Sequence, residues 1–250
     1  MIEPFFLGDD GRKVFAVYHA AADPASDVLA VISPPLFSEG LRTQLALREL
    51  AIALAEENQH VIRFDWLGTG DSSGVLADMR VSDWAADVGA IIDEGRDITG
   101  AARINLVGVR AGALLLCNAL RSLAPVERVV LWDPVRRGND YLEELRRIQE
   151  RMLERNRYLT TASRRVAEQE LGGQRIPADL RNDIEALDDR VYTGVPAQRL
   201  TVIVTDGSNA FEGEAEPLVI RFSCNWQTDS EDLMLPQPVL ERIRTCLLEG

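Results

Sequence analysis

The sequence predicts an α/β protein: a mostly parallel sheet of about eight strands with helices on both faces and one helical insertion. Seven short β-rich runs carry the first part of that reading: VFAVYHAA, VLAVISPP, HVIRFDW, INLVGV, VERVVLW, LTVIVTD and PLVIRFSC. Most are nearly continuously apolar, the pattern of strands buried on both faces. Segments with apolar residues at helical spacing lie between them, and this alternation implies crossovers between parallel strands. With 250 residues, 46% of them hydrophobic, the chain can bury the core of one domain spanning 1–250.

In chain order, MIEPFFLGDDGRK carries acidic residues early and no long apolar run, so it lacks a signal-peptide profile. Nothing later approaches the ~18 apolar residues of a membrane span. A cytoplasmic protein without a membrane span is expected. Helical spacing follows over 40–58, through Leu41, Leu45, Leu47, Leu50 and Leu54, and again over 81–98, 111–123 and 235–248. One segment, 136–196, holds no convincing strand but has the charged helical pattern YLEELRRIQERMLERNRYL followed by GGQRIPADL. It is expected to be a helical cap inserted between two strands, its charges forming a solvated face with i,i+4 pairs.

The net charge of −13 and pI near 4.7 argue against a nucleic-acid partner, which needs concentrated positive charge. Lys13 is the only lysine among 27 basic residues, a compositional bias. Cys117, Cys224 and Cys246 have neither zinc-ligand nor disulfide-framework spacing and read as buried small hydrophobes. No metal and no cofactor are implied.

The chemistry-bearing stretch is INLVGVRAGALLL, residues 104–116. Gly108-Val109-Arg110-Ala111-Gly112 is the G-x-S-x-G strand-to-helix elbow with arginine in place of serine. The small residues Gly108, Ala111 and Gly112 let such a turn close, and the central residue projects at the helix N-terminus. A guanidinium has only donors and no nucleophilic lone pair, so the position has become a cation. No catalytic residue is assigned. His19, on the second strand, and His60, ahead of VIRFDW, both lie where no triad base belongs.

Around the elbow, SPPLFSEG (33–40) is either a loop supplying an oxyanion-hole amide near Leu36 or Phe37, or a plain strand-to-helix turn. FDWLGTGDSSG (64–74) is a glycine-rich turn whose aspartates and serines hold the loop. Asp133 and Asp206 end strands on the same edge, where a triad acid would stand. A shielded cation needs a counter-charge, and Asp133 or Asp65 is expected to form a bidentate pair with Arg110.

With these motifs in order, the chain resembles an α/β-hydrolase over nearly its whole length, and more narrowly the exosortase A system-associated hydrolases, type 2 group. The resemblance rests on YHAA, PPLFSEG, RFDWLGTGDSSG, GVRAGALLL, LWDPVRRGNDYLEEL and NWQTDSEDLMLPQPVLERI. It implies arginine at the elbow as a group trait and an aromatic-Gln-Thr where the histidine would stand. Here those positions are Arg110 and Asn225-Trp226-Gln227-Thr228. The first loop departs from the group's P-P-F-x-E-E in having Ser38-Glu39. The group's name implies a hydrolase in bacterial exopolysaccharide production and protein sorting.

The resulting expectation is a non-catalytic hydrolase fold with a pocket for a small anionic or acyl ligand, built from Arg110, Ala111, Leu36, Phe37, Asp133 and Trp226. One alternative is an esterase, thioesterase or amidase with a displaced nucleophile at Ser38, Ser72, Ser73 or Cys224. Another is an interaction scaffold docking through the cap with Tyr141, Tyr158 and Tyr192, or a homodimer joined through the cap or final helix.

Overall fold

In a computed structural model, every residue is described except 10, 157, 159, 207–215, 229–231 and 250. The strands are β1 (Ile2–Leu7), β2 (Val14–His19), β3 (Val28–Ser33), β4 (His60–Phe64), β5 (Arg103–Val109), β6 (Val126–Trp132), β7 (Ala197–Asp206) and β8 (Leu218–Ser223). The helices are α1 (Phe37–Glu56), α2 (Val81–Thr99), α3 (Ala111–Leu120), α4 (Gly138–Arg155), α5 (Thr161–Ala167), α6 (Ala178–Glu185) and α7 (Gln237–Leu248). The strands form one eight-stranded sheet in the order β1-β2-β4-β3-β5-β6-β7-β8. Pairing is parallel from β4 to β8 along this order, while β1 and β2 run antiparallel at one edge.

All seven apolar runs form strands. The eighth, β1, lies outside them because its residues are mostly exposed at the sheet edge, leaving no continuous apolar signal. Residues after Asp206 in VTDGSNA lie outside the described residues.

Each sheet face has its own core. Leu29, Val31, Ile62, Leu106 and Val129 pack with α2, α3 and α4, whereas Ala30, Ile32, Val107, Val130 and Ile203 pack with α1 and α7. Side chains alternate across a strand, so single strands such as β3 feed both cores. Gly95 in α2 permits a close helix-to-sheet approach: an added Cβ would stand 2.4 Å from a methyl of Leu29.

The strand order creates a crevice. After β3 the chain crosses to β4 on one side, and after β5 it crosses to β6 on the other. Connections leaving in opposite directions open a gap at the carboxyl ends of the strands, where open α/β sheets bind ligands. Over that edge sit α4, α5 and α6, all between β6 and β7. His19 and His60 are at the opposite edge: His60 begins β4, and His19 ends β2 paired beside Val61.

Candidate functional site

The elbow is built as its glycines require. Arg110 has φ 53° and ψ −126°, a backbone region that L-residues rarely occupy. A Cβ on Gly112 would lie 2.1 Å from the carbonyl oxygen of Pro34, and one on Gly108 would lie 2.7 Å from Cα of Ala113. The turn is tied to its neighbours by Arg110 N donating to the Trp132 carbonyl at 3.0 Å. Phe37, Asp133 and Asn225 also have positive φ, so four of the five described non-glycine residues in this region ring the same edge. Such conformations persist only where the surroundings enforce them, and they cluster at functional sites.

Arg110 is 3% exposed. Its Nε donates to Glu39 Oε1 at 3.1 Å, and its Nη2 donates to Glu144 Oε2. Its guanidinium carbon lies 5.2 Å from the ring centre of Trp226, a cation–π contact. The expected pairing with Asp133 or Asp65 is therefore corrected. Asp133 already accepts from Thr205 N (2.7 Å), Thr205 Oγ1 (2.6 Å) and Trp226 Nε1 (2.7 Å), while Asp65 accepts from Asp71 N at 2.9 Å. The actual partners come from the first turn of α1 and the buried face of α4. In the sequence Glu39 stands out only as a loop difference, and nothing in the charged pattern of α4 singles out Glu144 among its acidic neighbours.

Burial pushes the Glu39 carboxyl up to about 7, against the pull of Arg110, with the charge of Glu144 adding to the rise. Burial alone would lower Arg110, but the two carboxylates reverse this and hold it firmly cationic. Tyr141 of α4 completes the lid: its ring stacks on Phe37 at 6.4 Å, and its hydroxyl lies 3.4 Å from the Leu36 carbonyl.

The remaining triad positions have also changed. Trp226 donates its indole N–H to the Asp133 carboxylate, as a triad histidine would donate one ring N–H. Indole has no second ring nitrogen to take a proton. The Trp226 segment is pinned by Arg42 donating to the Asn225 carbonyl at 3.2 Å and by Arg151 of α4 donating to the Gln227 carbonyl at 2.7 Å.

Of the six expected pocket residues, Arg110, Ala111, Leu36, Asp133 and Trp226 are buried together, and Phe37 alone lines an open cleft. That cleft, about 310 Å³, lies between the 34–40 loop, α1 and the 64–70 turn. Three of the four displaced-nucleophile candidates are engaged or protonated, and Ser38 is a partly exposed residue of the first turn of α1. Ser72 Oγ donates to the Asp65 carbonyl at 2.7 Å, Ser73 Oγ accepts from Lys13 N at 2.6 Å, and burial pushes the Cys224 thiol up to about 11. His60 is engaged with the Tyr18 hydroxyl at 2.7 Å. Of the proposed docking tyrosines, Tyr141 and Tyr192 are buried, and only Tyr158 is exposed. On α4 the expected i,i+4 surface pair is present between Glu143 and Arg147 at 3.4 Å. Among the described residues no cluster of three or more His, Cys, Asp or Glu could hold a metal, and no helix is long and apolar enough to cross a membrane.

Solved structures share this architecture at low identity. Est1E of Butyrivibrio proteoclasticus, solved with ferulic acid bound, aligns over 98% of both chains at 16% identity and TM-score 0.67. Epoxide hydrolase A of Mycobacterium thermoresistibile aligns over 100% of this chain and 99% of its own at 16% identity and TM-score 0.62. The thioesterase domain of the curacin biosynthetic pathway aligns over 100% of both at 16% identity and TM-score 0.61. These likenesses establish the fold alone. No curated protein sequence matches the chain. The family model described as alpha/beta hydrolase fold matches residues 43–179, more than half of the chain, and the chain belongs to that family.

Proposed function

We propose that this is a non-catalytic alpha/beta-hydrolase-fold protein that binds a small anionic or acyl ligand. One observation carries the reading: the nucleophile position holds a buried cation clamped by Glu39 and Glu144, beneath α4. The base position holds an indole on Asp133, so neither attack nor proton relay has a group to perform it. Binding is supported by the strained backbone around the elbow and by the crevice beside it. In this reading Phe37 meets the ligand, while Arg110, Ala111, Leu36, Asp133 and Trp226 form the rigid wall behind. The setting proposed from the sequence resemblance is bacterial exopolysaccharide production, in the cytoplasm.

The test is intact-mass analysis after incubation with a broad serine-reactive fluorophosphonate, alongside turnover of short-chain nitrophenyl esters. No adduct and no turnover are expected. A stoichiometric adduct on any serine, with matching turnover, overturns the reading.

A further inference from the structure

Arg63 stands near the end of β4, half-buried under α1 and lining the cleft that Phe37 also lines. Its Nε donates to His19 Nε2 at 3.2 Å, which leaves its terminal amino groups for other partners. Burial, and then the charge of Arg63 itself, hold His19 down to about 4, so the imidazole is neutral and balances no charge. No carboxylate among the described residues lies within ion-pair distance of Arg63. Arg48, one helical turn beyond Gln44 on α1, adds a second positive charge nearby.

A half-buried guanidinium whose opposing carboxylate charge, on Asp65, stands beyond ion-pair distance is a costly arrangement unless an anion completes it. The walls of the cleft are apolar through Leu41, Leu47 and Leu76, besides Phe37, and Gln174 closes it from the segment between α5 and α6. Asp65 follows the last residue of β4, and its carboxylate is the opposite charge that acts on Arg63 from within the same cleft lining. Gly70 makes room for the Asp65 carboxylate: a Cβ there would stand 2.2 Å from Oδ2. One of its oxygens holds the turn through Asp71 N, and the carboxylate still borders the cleft as an acceptor. Cation, acceptor and apolar wall are thus fixed on one side of a cavity of small-ligand size.

We propose that this cleft binds a small organic acid with a short apolar chain, its carboxylate on Arg63 and a neighbouring hydroxyl donating to Asp65. The assignment rests on the reading of the chain as a ligand-binding protein, and places the ligand's charge on Arg63 rather than Arg110.

The experiment is calorimetric titration of the full chain with sodium 3-hydroxyhexanoate and sodium hexanoate. Both bind, and the hydroxy acid binds more tightly. Arg63→Gln weakens the hydroxy acid about tenfold or more, the scale of one lost charged hydrogen bond. Leu41→Glu, an exposed position at the cleft mouth, weakens both acids through charge repulsion and keeps the fold. Asp65→Asn narrows the gap between the two acids. The cleft assignment is overturned if neither acid binds, or if affinity is unchanged in both Arg63→Gln and Leu41→Glu. Ester turnover or a fluorophosphonate adduct in the same preparation overturns the non-catalytic reading instead, whatever the titration gives.

Discussion

Two carboxylates face one guanidinium at the elbow, and the arithmetic of that cluster shapes its pH response. Glu39 is raised from 4.5 to about 7 by burial, so the folded chain keeps a proton that the unfolded chain releases across that window. Stability contributed by this group is therefore full below pH 4.5 and falls as pH rises toward 7, by on the order of 3 kcal/mol. Burial sets the direction, and Arg110, Glu144 and Arg42 are the charged groups that act on it. Glu39→Gln should flatten the slope, as urea unfolding at pH 5 and pH 8 would reveal; an unchanged slope would place the titration elsewhere. Arg110→Met removes the cation that the two carboxylates share and should cost about 3–5 kcal/mol at neutral pH, with a smaller loss in acid. Arg110→Ser should be unstable for the same reason and gain no esterase activity, because Trp226 accepts no proton. The cation at 110 was legible from one residue in one motif. Its partners were not, because counter-ion choice depends on how α4 docks, and Asp133 was already committed to Thr205 and Trp226.

The docking of α4 through α6 depends on close backbone approach as much as on apolar burial. A Cβ on Gly138, the first residue of α4, would stand 1.6 Å from the carbonyl oxygen of Ile184 in α6. Gly138→Ala should force the two helices apart and cost about 1–3 kcal/mol, with faster amide exchange in α4 and α6 than in the sheet. Asp183 of α6 accepts from Arg80 at 2.6 and 2.7 Å, fastening that helix to the start of α2. The pair is solvent-screened, so Asp183→Ala should shift the urea midpoint only slightly. Strands β2 to β8 and the four long helices flanking the sheet were readable because burial on both faces or along one stripe leaves a periodic trace. β1 left none, since an exposed edge strand can alternate freely. The inward turn of Glu144 and Gln149 within a charged helix was equally hidden, because charge alone does not say which face is dry.

Across the whole molecule, the excess of acidic residues acts as a diffuse strain on the fold. Raising salt screens that self-repulsion, so moderate sodium chloride should raise the unfolding temperature; a fall would mean that surface ion pairs outweigh the net charge. The sheet order explains why the two histidines have no part in the elbow: β2 runs against β4, which carries His19 to the edge opposite Arg110. No local sequence pattern encodes that distance, which is a property of topology.

The indoles of Trp132 and Trp226 lie 5.3 Å apart at 61°, with the guanidinium of Arg110 over the second ring. Two chromophores held so close and so skewed should couple their strongest transitions, and the expected result is an exciton couplet in far-ultraviolet circular dichroism. The elbow therefore carries its own optical gauge. Any event that lifts α4, frees Arg110 or swings Trp226 from Asp133 changes the sign or size of that signal, without a label and in real time.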